Sequence, residues 1–286
     1  MRVLVTGVKG QLGYDCVREL NDRGVADVLG IDKEELDITN EKAVKQFVQN
    51  FMPDVIIHCA AWTAVDKAEE NVELVNKINV LGAKYLTESS LDIGAKLVYI
   101  STDYVFSGKG SRCYETDDEK NPLSVYGSSK LEGEIEVQKN AKHFIVRTSW
   151  VFGVNGNNFV KTMLKLAEPN KELTIVSDQI GSPTYTRDLA KLICDMIVTE
   201  KYGTYHATNE GICSWAEFAS EIFKQADLNI KINPISTAEY IKQRPSQALR
   251  PLNSRLSKKS LDDAKFQRLP EWKDALSRYL KEIGVI

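Results

Sequence analysis

The sequence has too few cysteines to build a framework. Five in 286 residues, Cys16, Cys59, Cys113, Cys194 and Cys213, stand apart without a C-x-x-C pair. That excludes a zinc knuckle and a disulfide scaffold, and the pattern reads as reduced, mostly buried thiols. Histidine is scarcer still: His58, His143 and His206 stand singly inside apparent strands, without the spacing of metal ligands, so no metal site is expected. Long apolar runs are missing. The most apolar stretches, such as Asp54 to Trp62, fall far short of the ~20 residues that cross a bilayer. The first strand reaches a turn glycine at Gly7 too soon for the apolar region of a signal peptide. Nor is there a basic excess: 37 Lys and Arg against 40 Asp and Glu give a net charge of −3, which leaves no general field for nucleic acid. The expectation is a cytoplasmic protein that binds neither membrane nor nucleic acid.

What is present is the composition of an ordinary globular protein, 43% hydrophobic and 27% charged, with length for about two domains. Short β-rich runs alternate with helical patterns from the first residue, which argues a doubly wound α/β fold, a parallel sheet covered by helices on both faces. The spacing predicts strands at Arg2–Thr6, Asp27–Ile31, Val55–Ala60, Lys96–Ser101 and His143–Thr148. Leu74, Ile78, Leu81 and Tyr85 recur at helical spacing and read as a core-facing stripe. Near residue 150 the rhythm loosens: Gly153 to Asn158 is a turn cluster, and prolines such as Pro183, Pro234 and Pro245 punctuate short elements. A smaller, interleaved α/β domain is expected there. Thr186–Glu200 and Gly203–Thr208 read as βαβ material returning to the first domain. The expected division is 1–150 plus about 186–208 for one domain, and about 151–185 plus 209–286 for the other.

Gly7, Gly10 and Gly13 form a G-x-x-G-x-x-G pattern between a buried strand and an amphipathic helix. Glycine permits the tight turn and leaves space for a phosphate, and the helix N-terminus favours the anion. The strand before it, the helix after it and Asp32, 19 residues beyond Gly13, make it a dinucleotide site. Asp32 would accept both ribose hydroxyls of NADH and repel the 2′-phosphate of NADPH, while the adjacent Lys33 offsets that repulsion. The coenzyme is therefore NADPH or NADH. Asp37, Thr39 and Asn40 precede a helix, and for Asp37 a capping role and an adenine contact stand level.

Tyr126 and Lys130 are four residues apart, on one face of a helix. An ammonium stabilises a tyrosinate, so such a pair exchanges a proton near neutrality. The pair follows a strand that ends in Ser101-Thr102-Asp103, and in open α/β sheets chemistry collects outside those carboxyl ends.

Together these residues resemble the extended short-chain dehydrogenase/reductase superfamily, with its Rossmann-type fold: the loop at 6–13, His58-Cys-Ala-Ala61, Asn79-Val-x-Gly82, Ser101-Thr102-Asp103 and Tyr126-x-x-x-Lys130. Within it the chain is similar to the dTDP-4-dehydrorhamnose reductases. The discriminating blocks are Ala60 to Glu69, Ser101 to Phe106, Arg147-Thr-Ser-Trp-Val-Phe-Gly153, Asp178-Gln-x-Gly-Ser-Pro-Thr184 and Arg250-Pro-x-Asn-Ser254. The resemblance implies Tyr126 as proton donor, Lys130 as the group that binds the nicotinamide ribose and lowers the tyrosine pKa, and Thr102 on the reacting oxygen. It also implies that Gln11, Leu12, Ile38, Ala60, Ala61, Thr63 and Asn79 line the coenzyme, and that Asp103, Trp150 and Arg250 meet the sugar nucleotide.

The implied reaction is reduction of the C4 ketone of a dTDP-linked keto sugar, by a monomer or homodimer. Some members are described as dimers bridged by Mg²⁺ through carboxylates, one of them just after the glycine loop. This chain has Asp15 there rather than glutamate, and no bridging metal is expected. Two other readings stay open: another sugar-nucleotide epimerase or dehydratase, and a non-catalytic NAD(P)-binding regulatory subunit. Dehydratases carry Asp-Glu after the threonine, where this chain has Asp103-Tyr104.

Overall fold

The computed structural model describes every residue except Pro245, one of the prolines read as punctuation, which lies outside the described residues. The chain opens with β1 (Arg2–Thr6) and turns through the glycine loop into α1 (Gln11–Asp22). β2 (Asp27–Ile31), α2 (Glu41–Phe51) and β3 (Val55–His58) follow. Asn40 caps α2, its side chain accepting from the Ala43 N–H. Two short helices, α3 (Val65–Ala68) and α4 (Val72–Asn76), lead through a π-helical turn at Lys77–Leu81 into α5 (Gly82–Ile93). The stripe through Leu74 and Tyr85 is thus not one regular α-helix. The wide turn adds a residue to the repeat and rotates the face, so Leu74 stands exposed, and it and Ile78 border the cleft described below.

β4 (Lys96–Thr102), α6 (Val125–Val137) and β5 (His143–Thr148) complete the first half. Next come β6 (Val151–Phe152), α7 (Phe159–Ala167), β7 (Glu172–Val176), β8 (Ile180–Gly181) and β9 (Thr184–Tyr185). α8 (Thr186–Ile197) and β10 (Gly203–His206) then return to the first half. The chain ends with β11 (Cys213–Ser214), α9 (Trp215–Gln225), β12 (Lys231–Ile235), α10 (Thr237–Gln243), α11 (Lys259–Asp263) and α12 (Trp272–Glu282). No helix among the described residues is long and apolar enough to cross a membrane.

Six strands form one sheet in the order β10-β5-β4-β3-β1-β2, every neighbouring pair parallel. Side chains alternate between its faces. Val3, Val5, Ile57, Val98 and Val146 pack against α1 and α8 on one side. Leu4, Ile56, Leu97, Tyr99 and Ile145 pack against α2 and α5 on the other. This is why the strands read as continuous apolar runs: both faces are covered. The chain leaves β1 in opposite directions for β2 and β3, and such a switch opens a crevice at the carboxyl ends. A separate core of Phe152, Val160, Phe218, Ile222, Trp272 and Leu276 gathers β6, α7, α9 and α12.

One polar contact fixes α6 on the sheet. Glu134 accepts from Arg147 of β5 through both oxygens, at 2.8 and 2.7 Å, and from the Ser101 hydroxyl of β4 at 2.5 Å. Both charges are almost wholly buried. Breaking such a pair on one side leaves an uncompensated buried charge. We expect Glu134→Gln to lower the unfolding free energy by roughly 3–5 kcal/mol, measured by urea denaturation. A loss within the error of the wild type would mean that the pair does not hold the helix.

Candidate active site

A cleft of about 800 Å³ runs along the carboxyl ends of the sheet. One wall is the glycine loop. Gly7 has a φ of +73°, and a Cβ there would stand 2.6 Å from the Ala60 nitrogen, while a Cβ on Gly13 would stand 2.3 Å from the Gly7 carbonyl oxygen. The loop is therefore folded on itself as tightly as backbone allows. Gly10 stands at the N-cap of α1 with no side-chain cap, so the first N–H groups of the helix remain available to an anion. These features fit a dinucleotide diphosphate. Gly7, Gly10, Gln11, Leu12, Gly13, Asp32, Asp37, Ile38, Ala60, Ala61 and Thr63 all border the same cleft.

Asp32 is partly engaged already. Its carboxylate accepts the Lys9 N–H at 2.9 Å and its neighbour Lys33's N–H at 2.8 Å, so it braces the glycine loop as well as facing the cleft. Lys9 is ion-paired with Glu34 at 2.8 Å. Asp37 accepts the Thr39 N–H and hydroxyl, which hold its carboxyl below the usual range. It shapes the turn while Asn40 caps the helix.

The opposite wall gathers the residues expected to be catalytic. Ser124 caps α6, accepting from Gly127 N–H at 3.1 Å, and the first turns of that helix bring Tyr126 and Lys130 to the cleft beside Thr102 and Asp103 at the end of β4. Burial governs every titration here. It pushes the Tyr126 phenol up, with the Thr102 hydroxyl pulling the other way. It draws the Lys130 ammonium down to about 7, against the opposing field of Glu134. It raises Asp103 to about 6, despite hydrogen bonds that include one from the Thr102 hydroxyl at 3.0 Å. In this arrangement the phenol is a proton-loaded acid rather than a ready tyrosinate.

Trp150 sits at φ +50°, its indole stacked on Trp215 with centroids 3.7 Å apart. Trp215 donates to Gln179 at 3.2 Å, which ties this face of the cleft to the Asp178–Thr184 block. Two expected residues lie off the wall. Asn79 is buried behind it, accepting the Trp62 N–H at 2.8 Å and donating to Ser129 at 2.9 Å, so it pins the Ala60–Thr63 loop to α6 instead of lining the cleft. Arg250 is half-buried and paired with Asp66 at 2.9 Å. Asp15 is enclosed and accepts the Thr186 hydroxyl at 2.5 Å. Among the described residues no group of three or more His, Cys, Asp or Glu side chains is arranged to hold a metal.

Residues 1–285 match the sequence profile of the family described as RmlD substrate binding domain. The chain belongs to that family. It is 43% identical to the spore coat polysaccharide biosynthesis protein SpsK of Bacillus subtilis, over 98% of this chain and 97% of that one. It is 43% identical to a dTDP-4-dehydrorhamnose reductase of Aggregatibacter actinomycetemcomitans, over 96% of this chain and 97% of that one. A crystal structure of the dTDP-4-dehydrorhamnose reductase of Bacillus anthracis, in complex with NADP, matches with a TM-score of 0.94 at 45% identity, over 98% of this chain and 99% of that one.

Leu74, which helical spacing assigns to the core, also borders this RmlD-family cleft, as do Lys9, Tyr104, Ser149 and Asn157. For the last of these a signal existed in the Gly/Asn turn cluster: Asn155 donates to the Lys9 carbonyl at 2.9 Å, which folds that turn over the glycine loop. Removing the Asp32 carboxylate frees the Lys9 N–H and removes a charge that opposes a 2′-phosphate. We expect Asp32→Ala to weaken NADH binding and to move the NADPH/NADH preference toward NADPH by about tenfold, the order of one charged hydrogen bond. Fluorescence titration with each coenzyme checks this; an unchanged ratio would place the ribose elsewhere.

Proposed function

We propose that this chain reduces the C4 ketone of dTDP-4-dehydro-β-L-rhamnose to dTDP-L-rhamnose, with NADPH or NADH held along the glycine loop. The observation that carries the reading is one cleft shared by that loop and by Thr102, Asp103, Tyr126, Lys130 and Trp150, in a chain of the RmlD family. A bound nicotinamide coenzyme supplies the hydride. The protein supplies the proton and the positioning.

Burial keeps Tyr126 in its acid form, which is the form a reduction needs. As charge gathers on the substrate oxygen, the phenol O–H breaks and the proton passes to that oxygen. Lys130, one helical turn on, then offsets the charge of the tyrosinate. Thr102 donates to Asp103 in the structure; turning that hydroxyl to the developing alkoxide exchanges one anionic acceptor for another. Both hydrogen bonds strengthen as the alkoxide forms, which is where stabilisation accelerates the reaction. Trp150, rigid on Trp215, offers an apolar face to the sugar.

The division of labour runs with the sheet: residues 1–150 with about 186–208 for the coenzyme, and about 151–185 with 209–286 for the sugar nucleotide, although Leu261, Phe266 and Leu269 pack into the first core. Support comes from β10, which joins β5 after the chain has passed through the second core. The cytoplasm is the compartment we assign, since all five cysteines are free thiols, as expected where glutathione keeps them reduced.

Tyr126→Phe removes one hydroxyl and keeps the ring. We expect kcat to fall by about 10²–10⁴-fold, the usual weight of general-acid catalysis, with coenzyme Kd nearly unchanged. Lys130→Met should impair both. Spectrophotometry of NADPH oxidation on the dTDP-linked keto sugar, with UDP- and GDP-linked keto sugars as controls, decides. A fully active Tyr126→Phe variant removes the tyrosine from the mechanism, and coenzyme binding without turnover of any keto sugar points to a regulatory subunit.

A further inference from the structure

Lys130 is only 2% exposed, and an ammonium so enclosed sheds its proton unless something replaces its lost water. Its surroundings offer little full charge. Glu134, one turn further along α6, is gripped by Arg147. The remaining titratable neighbours are Tyr126 on the same helix, the Cys59 thiol and His58 at the end of β3, and Tyr99 of β4. Burial holds His58 down to about 3, with Lys130 adding to the effect, so that ring is neutral. The Cys59 sulfur is a weak hydrogen-bond partner.

Tyr99 is placed differently. The Lys130 Nζ lies 3.9 Å from the centroid of its ring, and the negative face of an aromatic ring attracts a cation most strongly where water is excluded. The ring is itself immobilised. It is fully buried, lies 5.8 Å from the His58 ring and runs its hydroxyl under α6 at Gly133, where a Cβ would stand 2.1 Å from that oxygen. The hydroxyl makes only long contacts, 3.5 and 3.4 Å, to the Asn79 and Lys130 carbonyls.

We infer that Tyr99 is a positioning residue, its ring face the platform that keeps the Lys130 ammonium charged and seated in the cleft. This rests on the role given to Lys130 above. It also predicts which part of Tyr99 matters: the face of the ring and not the hydroxyl.

Carbon-13 labelling at lysine Cε allows the Lys130 titration to be followed by NMR in the coenzyme-free protein, with Lys130→Met assigning the resonance. Tyr99→Phe keeps the face, and the midpoint should stay within about a few tenths of the wild type. Replacing Tyr99 by pentafluorophenylalanine keeps the shape and reverses the charge of the face. The midpoint should then fall by about one pH unit or more, a tenfold change in the protonation equilibrium. The loss of kcat with rising pH should begin correspondingly lower, and coenzyme Kd should rise at neutral pH but not well below the midpoint. Equal midpoints for the phenylalanine and pentafluorophenylalanine proteins would overturn the inference, whatever their thermal stabilities. A midpoint that follows the ring, beside a Lys130→Met protein with intact coenzyme binding and turnover, would overturn the role of Lys130 and leave the platform standing.

Discussion

The bidentate contact between Glu134 and Arg147 sits underneath everything the cleft does. α6 presents Tyr126 and Lys130, yet it reaches the sheet over a polar seam: Ser101 from β4 and Arg147 from β5 both close on one carboxylate. Buried ion pairs add little net stability compared with apolar packing, but here one carboxylate takes three hydrogen bonds from two neighbouring strands, which ties α6 to both. The same guanidinium also donates to the Thr116 carbonyl at 2.9 Å. The long loop between β4 and α6 is thereby tied to the same point. The place of Arg147 is therefore architectural.

A second theme is that one physical cause, removal of water, sets opposite tasks in the cleft and just behind it. It makes Tyr126 a better-retained acid, makes Lys130 a reluctant cation and keeps His58 neutral. No member of this group is tuned chiefly by a dedicated counter-charge. The polar groups around them are the Thr102 hydroxyl, the Asp103 carboxylate and ring faces.

Much of this was legible in the sequence because it is local. The sheet announced itself through runs apolar on both faces, and the glycine loop and the Tyr126–Lys130 pair are short-range spacings set by turn and helix geometry. What escaped was long-range or depended on an irregular turn. Arg250 and Asp66 are 184 residues apart and leave no shared pattern. Trp150 and Trp215 stack from different elements. Asn79 reads as a polar break in an apolar stripe, and it lies in the π-helical turn with its amide on Trp62 and Ser129 rather than in the cleft. Asp32 had the expected position, but its second duty to the Lys9 N–H follows from the closeness of two loops that sequence spacing does not measure.

The arrival of β10 late in the chain has a consequence for synthesis. Strands β1 to β5 emerge from a ribosome before residue 150, but the sixth strand of their sheet is Gly203–His206. Until it docks, β5 is a bare edge with unpaired N–H and C=O groups, the kind of template on which strands from other chains add. The nascent protein must therefore carry an open sheet through the interval in which β6 to α8 are made, and α8, which packs on α1 across the same face, is the element that delivers the closing strand. Cutting the gene near residue 150 would leave that edge permanently exposed, so the half that carries the glycine loop is not a unit that can be excised by a single cut.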